Sequence, residues 1–148
     1  MKNTNANINT LTLKEIKTNA KVYSKLKNND APAGEYFFAF SKEQFDKGLA
    51  EIRKTTDAEV FSGAGGMIGT KKGFEKFKSH YDNVDKQIKE QCHPLAVFYY
   101  EYYNHESDYS FYDDTALKIT QEYFPDFNLA DYAKIVKQIR KQWCNKYA

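Results

Sequence analysis

Apolar positions recur along this chain mainly at helical spacing. Leu13, Ile16, Ala20 and Tyr23 share one face while Lys14, Lys17, Lys21 and Lys25 line the other, which predicts a helix over about 11–28. Asn28-Asn29-Asp30-Ala31-Pro32-Ala33-Gly34 breaks it. The clearest seam is Phe74, Phe77, Tyr81, Val84 and Ile88, in a helix over about 71–91. A second, Leu129, Tyr132, Val136, Ile139 and Trp143, runs down a last helix over about 129–146, capped by Asn128. These two seams predict a core containing Phe77, Tyr81, Ile88, Val136, Ile139 and Trp143.

Shorter patterns fill the interval. The β-prone run at 35–40 reads as a strand. Ser41 with Gln44 forms a capping box that opens a helix to about Lys54, with Phe45, Leu49 and Ile52 inward. Residues 59–62 read as a second strand, followed by a glycine loop over 63–70. Residues 95–104 fit a helix or a strand; Pro94, suited to a first helical turn, favours the helix. Residues 108–112 form a candidate third strand. Asp113 or Asp114 caps a helix that Pro125 stops. The pattern predicts a mostly helical α+β single domain over 11–148, with five or six helices against a small sheet of two or three short strands, after a flexible N-terminus at 1–10.

Composition changes this picture in one respect. Twelve Tyr, eleven Phe and one Trp outweigh a modest supply of Leu, Ile and Val, so rings must build much of the core and their hydroxyls need partners. No apolar run approaches the length of a membrane span, and the polar first residues lack a secretory pattern. Cys92 and Cys144 form no framework and read as reduced thiols. A cytoplasmic protein with no cofactor and no metal is the expectation.

Charge is segregated. Residues 94–132 hold eight acids against one lysine, while residues 133–148 hold five bases and no acid. Lys134, Lys137, Arg140, Lys141 and Lys146 therefore make a basic stripe, expected late in a helix from its dipole alone. The acidic stretch opposes a phosphate backbone, so nucleic-acid binding is not expected. Eight rings between Phe98 and Tyr112 exceed what one face of a helix or strand can bury. That acidic, aromatic segment at 98–112 is the expected surface for a protein partner or for self-association.

Two motifs carry candidate ligand chemistry. The glycine loop lies between a strand and a helix, where backbone N–H groups can cradle an anion, and Thr70 stands at the N-cap position. Its spacing matches neither the Walker A nor the dinucleotide-binding pattern. The alternative is a tightly turned connector whose glycines take positive φ. The second motif is Glu101 with Asn104, His105 and Glu106. Glu101 and His105 at i and i+4 on a helix can share a metal or act as an acid–base pair, or simply close the helix end. The candidate ligand-binding set is Gly65, Gly66, Thr70, Glu101, Asn104, His105 and Glu106, of which Gly65, Gly66, Thr70, Glu101 and His105 are expected to line one cavity; no catalytic residue is assigned.

Gly66-Met67-Ile68-Gly69-Thr70 leading into a helix, then Pro94, Tyr100-Glu101-Tyr102, Asn104-His105-Glu106 and an Asp113-Asp114 helix start, resemble a group of small uncharacterised proteins from bacteria, phages and mobile elements. The resemblance spans about 63–124. It implies a bacterial, phage or mobile-element setting and one site for both motifs, but no reaction. The leading functional expectation is a non-enzymatic protein-binding accessory protein. The alternative is a small anion- or metal-binding enzyme using the glycine loop and the Glu101/His105 region.

Overall fold

The computed structural model describes residues 11–104 and 114–147, the last five of them as backbone only. Six helices and three strands appear in that span: α1 (Leu13–Lys27), β1 (Tyr36–Phe38), α2 (Lys42–Arg53), β2 (Val60–Ser62), β3 (Met67–Thr70), α3 (Lys71–Gln91), α4 (Pro94–Asn104), α5 (Asp114–Tyr123) and α6 (Ala133–Tyr147). The fold is mostly helical α+β, with an antiparallel sheet ordered β1-β3-β2. Two compact units are present, an αβ unit (Asp30–Val84) and a helical unit (Met1–Asn29 with Asp85–Ala148).

In the αβ unit the central strand comes from the segment read as the glycine loop. Tyr36, Phe37 and Phe38 pair with Gly69, Ile68 and Met67, while Val60, Phe61 and Ser62 pair with Thr70, Gly69 and Ile68. Only the 3-10 turn Ala64–Gly66 remains loop-like, with Gly65 at φ 68° and Gly66 at φ 81°. This corrects the expectation of a connector over all of 63–70. Alternation along β1 places Phe37 on the α2 side, where its ring fills the space a Cβ on Gly48 would take and meets Phe45. Tyr36 and Phe38 point to the other side, where Phe77 of α3 packs on both at 5.1 and 6.0 Å.

Phe77 and Tyr81 are half-buried rather than core. The sheet has three strands of three or four residues, too narrow to enclose two large rings. The Tyr81 hydroxyl also accepts a hydrogen bond from the Ala31 N–H. The expected α2 cap forms, with Ser41 accepting from the Gln44 N–H, but the Gln44 side chain reaches back to the Phe40 N–H instead of the cap residue.

The helical unit holds the larger core. Ile16, Leu95, Phe98, Tyr102, Ala116, Phe127, Ile135, Val136 and Ile139 interlock there. Ile88, Val136 and Ile139 are buried as their seams require; the Trp143 side chain lies outside the described residues. Residues 95–104 are helical. Pro94 opens α4, and the His93 Nδ1 accepts from the Leu95 N–H at 3.0 Å. Asn19 of α1 fixes this junction, accepting from the His93 N–H at 2.6 Å and donating to the Gln91 carbonyl at 3.0 Å. The candidate strand at 108–112 lies outside the described residues. No helix among those described is long and apolar enough to cross a membrane.

Candidate functional site

The glycine motif is built by the αβ hairpin. The Gly63 N–H donates to the Met67 carbonyl, and the Met67 N–H donates to Ala64. These amides close the β2–β3 connection. Gly66 accepts from the Ala39 N–H, and a Cβ on it would come within 2.6 Å of the Phe40 ring. Gly69 faces Tyr36 so closely that a Cβ would meet the Glu35 carbonyl oxygen at 2.8 Å. Thr70 is buried and caps α3, accepting from the Gly73 N–H at 3.0 Å and donating to Glu35 Oε1 at 2.7 Å. Sequence reasoning placed Thr70 correctly as the N-cap. Its hydroxyl is engaged within the fold.

Glu101 lies in the other unit, on α4, and is fully buried. Its carboxylate accepts from the Tyr23 hydroxyl and from Lys27 Nζ at 2.5 Å, both on α1. Asn104 Nδ2 lies 3.5 Å from the other carboxylate oxygen. The Lys27 ammonium also sits over the Tyr23 and Tyr100 rings, 5.8 and 5.6 Å from their centroids. Tyr123 from α5 meets Tyr23 edge-on at 6.1 Å. Burial, then the Glu101 carboxylate, push the Tyr23 phenol far above its ordinary pKa, so it stays a donor. Burial likewise raises Tyr123, with a contribution from Asp85.

This cluster joins three helices through one buried charge. Sequence reasoning found Glu101 and missed Tyr23 and Lys27 as its partners, and Tyr123 packed on Tyr23. A signal existed: Lys27 follows Tyr23 by four on the apolar face of α1, and Glu101 follows Phe98 by three on that of α4. A charge in a seam calls for an opposite charge in another seam.

The candidate residues divide accordingly. Gly65, Gly66 and Thr70 belong to the αβ unit, Glu101 and Asn104 to the helical unit. His105 and Glu106 lie outside the described residues, and with them the imidazole that the single-cavity expectation requires. No group of three His, Cys, Asp or Glu among the described residues is placed to hold a metal ion.

The aromatic segment at 98–112 is turned inward as far as it is described. Phe98 and Tyr102 are buried, Tyr99, Tyr100 and Tyr103 half-buried, and the Tyr103 hydroxyl donates to the Ile139 carbonyl. Tyr109, Phe111 and Tyr112 lie outside the described residues. Among the described residues, the large hydrophobic side chains that face solvent are elsewhere. Phe38, Phe40, Phe45 and Phe61, all in the αβ unit, are 45%, 77%, 37% and 47% exposed. Phe38 ends β1, and Phe40 lies two residues on, in the bend after it, where the Ala39 N–H still bonds to the Gly66 carbonyl and the Phe40 ring lies against Gly66.

Residues 15–125, most of the chain, match a family of unknown function, DUF7659. No curated protein and no solved structure matches the chain.

Proposed function

The chain belongs to that family, and from its geometry we propose that it is a non-enzymatic protein-binding protein, an accessory factor of a bacterium, phage or mobile element. The binding surface in this reading is the Phe38–Phe40 end of β1. The observation that carries it is Phe40, 77% exposed beside a 45% exposed Phe38. Covering one such ring stabilises a complex by about 1.5–3 kcal/mol when it becomes fully buried. Glu35 and Ala39 make their ladder bonds toward β3, so alternation turns the Phe38 N–H and C=O away from it, at the sheet edge. An extended apolar segment of a partner protein can add there as a strand while its side chains cover the two rings.

The test is selection of extended peptides against the whole chain, with counter-selection against the Phe38→Ser, Phe40→Ser variant. Apolar, β-prone peptides that move the Phe38 and Ala39 amide resonances, and that fail when a central residue is replaced by proline, support the reading. Peptides that bind the double variant equally well refute it. A dimer in light scattering that dissociates on Phe40→Ser refutes the hetero-partner reading in favour of self-association.

A further inference from the structure

The hydrogen-bonding groups beside the exposed rings do not end with the strand. The bonds from the β1 segment to the β3 segment finish where the Ala39 N–H donates to the Gly66 carbonyl. The next N–H, that of Phe40, donates to Gln44 Oε1 at 2.7 Å. Gln44 stands in the first turn of α2, and its own N–H donates to Ser41 Oγ at 3.2 Å. A glutamine at this helical position ordinarily bonds the N–H of the cap residue. Here it reaches one residue further back and lies beside the chain that leaves β1.

An N–H bonds the oxygen of a carboxamide and not its nitrogen, so the Phe40 bond fixes which way the Gln44 group is turned. Oε1 is occupied, and Nε2 is turned away from the Phe40 N–H. The side chain is exposed, and no described group bonds Nε2. The carboxamide thus behaves as one more peptide unit at the end of the strand. It consumes the Phe40 donor and offers its own in exchange.

The Phe38 N–H and C=O are turned away from β3. Past Phe38, an added strand would ordinarily meet the Phe40 N–H as its next donor, and at this end of β1 the donor left to it is Gln44 Nε2. Capping alone does not call for an amide at this position. Glutamate would accept from the Phe40 N–H equally well, and its charge would favour the start of α2. The donor is what glutamine has and glutamate lacks.

Resting on the reading of this edge as a surface for an extended partner segment, we propose that Gln44 belongs to the binding surface and donates from Nε2 to a backbone carbonyl of that segment, beside the bonds made at Phe38. The peptides selected on the Phe38–Phe40 edge are the probes. In spectra of the ¹⁵N-labelled full chain, the Gln44 side-chain amide signals, identified by their absence in Gln44→Glu, should move on titration with the tightest of these peptides. Gln44→Glu keeps the acceptor for the Phe40 N–H, so its urea midpoint should be no lower than that of wild type, while peptide affinity falls by about tenfold. The loss should persist at about 0.5 M sodium chloride, where interactions between exposed charges are largely screened. A peptide that needs both rings but leaves the Gln44 signals unmoved, or that binds Gln44→Glu as tightly as wild type, overturns this inference and leaves the edge reading intact. If no selected peptide depends on Phe38 and Phe40, the edge reading falls and the role of Gln44 falls with it.

Discussion

Replacing Lys27 with methionine should destabilise the protein more than replacing Glu101 with glutamine, although the two substitutions break the same ion pair. Glu101 has no exposed side-chain surface, whereas the Lys27 side chain is 32% exposed. In Glu101→Gln the ammonium can turn toward water, and the amide oxygen still accepts from Tyr23. The loss is then roughly one charge-assisted hydrogen bond, about 1.5–3 kcal/mol at most. In Lys27→Met the carboxylate keeps its charge and cannot reach water. Removing one partner of a buried pair costs about 3–5 kcal/mol. Donors that remain, Tyr23 and Asn104 among them, place the expected value at the lower end, about 3 kcal/mol. For a chain of this size that corresponds to a fall in Tm of roughly 6–12 °C. Changing both residues, Lys27→Met with Glu101→Leu, removes the buried charge and should recover part of the loss. Urea denaturation followed by circular dichroism, at constant pH, measures all three variants. Equal losses for the two single variants, or a double variant less stable than Lys27→Met, would refute the argument that Glu101 is trapped and Lys27 is not.

Three further outcomes follow from other parts of the fold. His93 accepts at Nδ1 only as neutral imidazole, and burial lowers its pKa below the ordinary 6.5. Its stabilising contribution is complete above that value and is lost as pH falls through the lowered one. Stability should therefore drop below pH 6.5 by at most about 1.4 kcal/mol per pH unit from this group; a His93→Asn variant with the same pH slope would contradict this. Gly66→Ala places a Cβ against the Phe40 ring at φ 81° and should cost about 1–2 kcal/mol from backbone strain alone, read from the urea midpoint. Phe98→Ala should cost about 3–5 kcal/mol, and Phe77→Ala clearly less because its ring is only half-buried; equal midpoints for these two variants would be the wrong answer.

The parts of the fold legible in the sequence are those specified locally. Helix seams repeat every three or four residues, and α3 spans the expected 71–91. The α4 start was readable because Pro94 fits a first turn. What was not legible depends on non-local contacts. Met67-Ile68-Gly69-Thr70 becomes a central strand because β1 and β2 pair with it from both sides, and Gly69 is required by the close approach of the Glu35 backbone. Read alone, glycine at that position signals a loop. The Lys27–Glu101 pair joins positions 74 residues apart. Each member looks like a local interruption of an apolar stripe, and only the packing of α1 on α4 makes them one feature. The exposed ring surface was missed for a related reason. Aromatic density is highest near 98–112, but Phe98 and Tyr102 are drawn into a helical core beside Ile16, Leu95, Ile135, Val136 and Ile139.

The placement of the two ring types gives the binding reading its physical basis. Four tyrosine hydroxyls among the described residues are tied into the structure: Tyr23 to Glu101, Tyr36 to the Ala31 and Pro32 carbonyls, Tyr81 to the Ala31 N–H and Tyr103 to the Ile139 carbonyl. A phenol can leave its oxygen near water and bury its ring, so half-burial is a satisfied state for it. Phenylalanine has no such compromise. Yet the large hydrophobics most exposed among the described residues are four phenylalanines, all between 38 and 61. Nothing about packing requires Phe40 to be a ring: it follows β1, it touches Gly66 from outside, and serine or lysine at that position would still leave its N–H bonded to Gln44. A folding role would be satisfied by a polar residue at Phe40 with little loss of buried area, because the ring is 77% exposed. Phe40→Ser should therefore leave the urea midpoint within about 0.5 kcal/mol of wild type, while abolishing partner binding at this edge. A large loss of stability in Phe40→Ser would show that the ring serves the fold, and would remove the main support for a binding surface there.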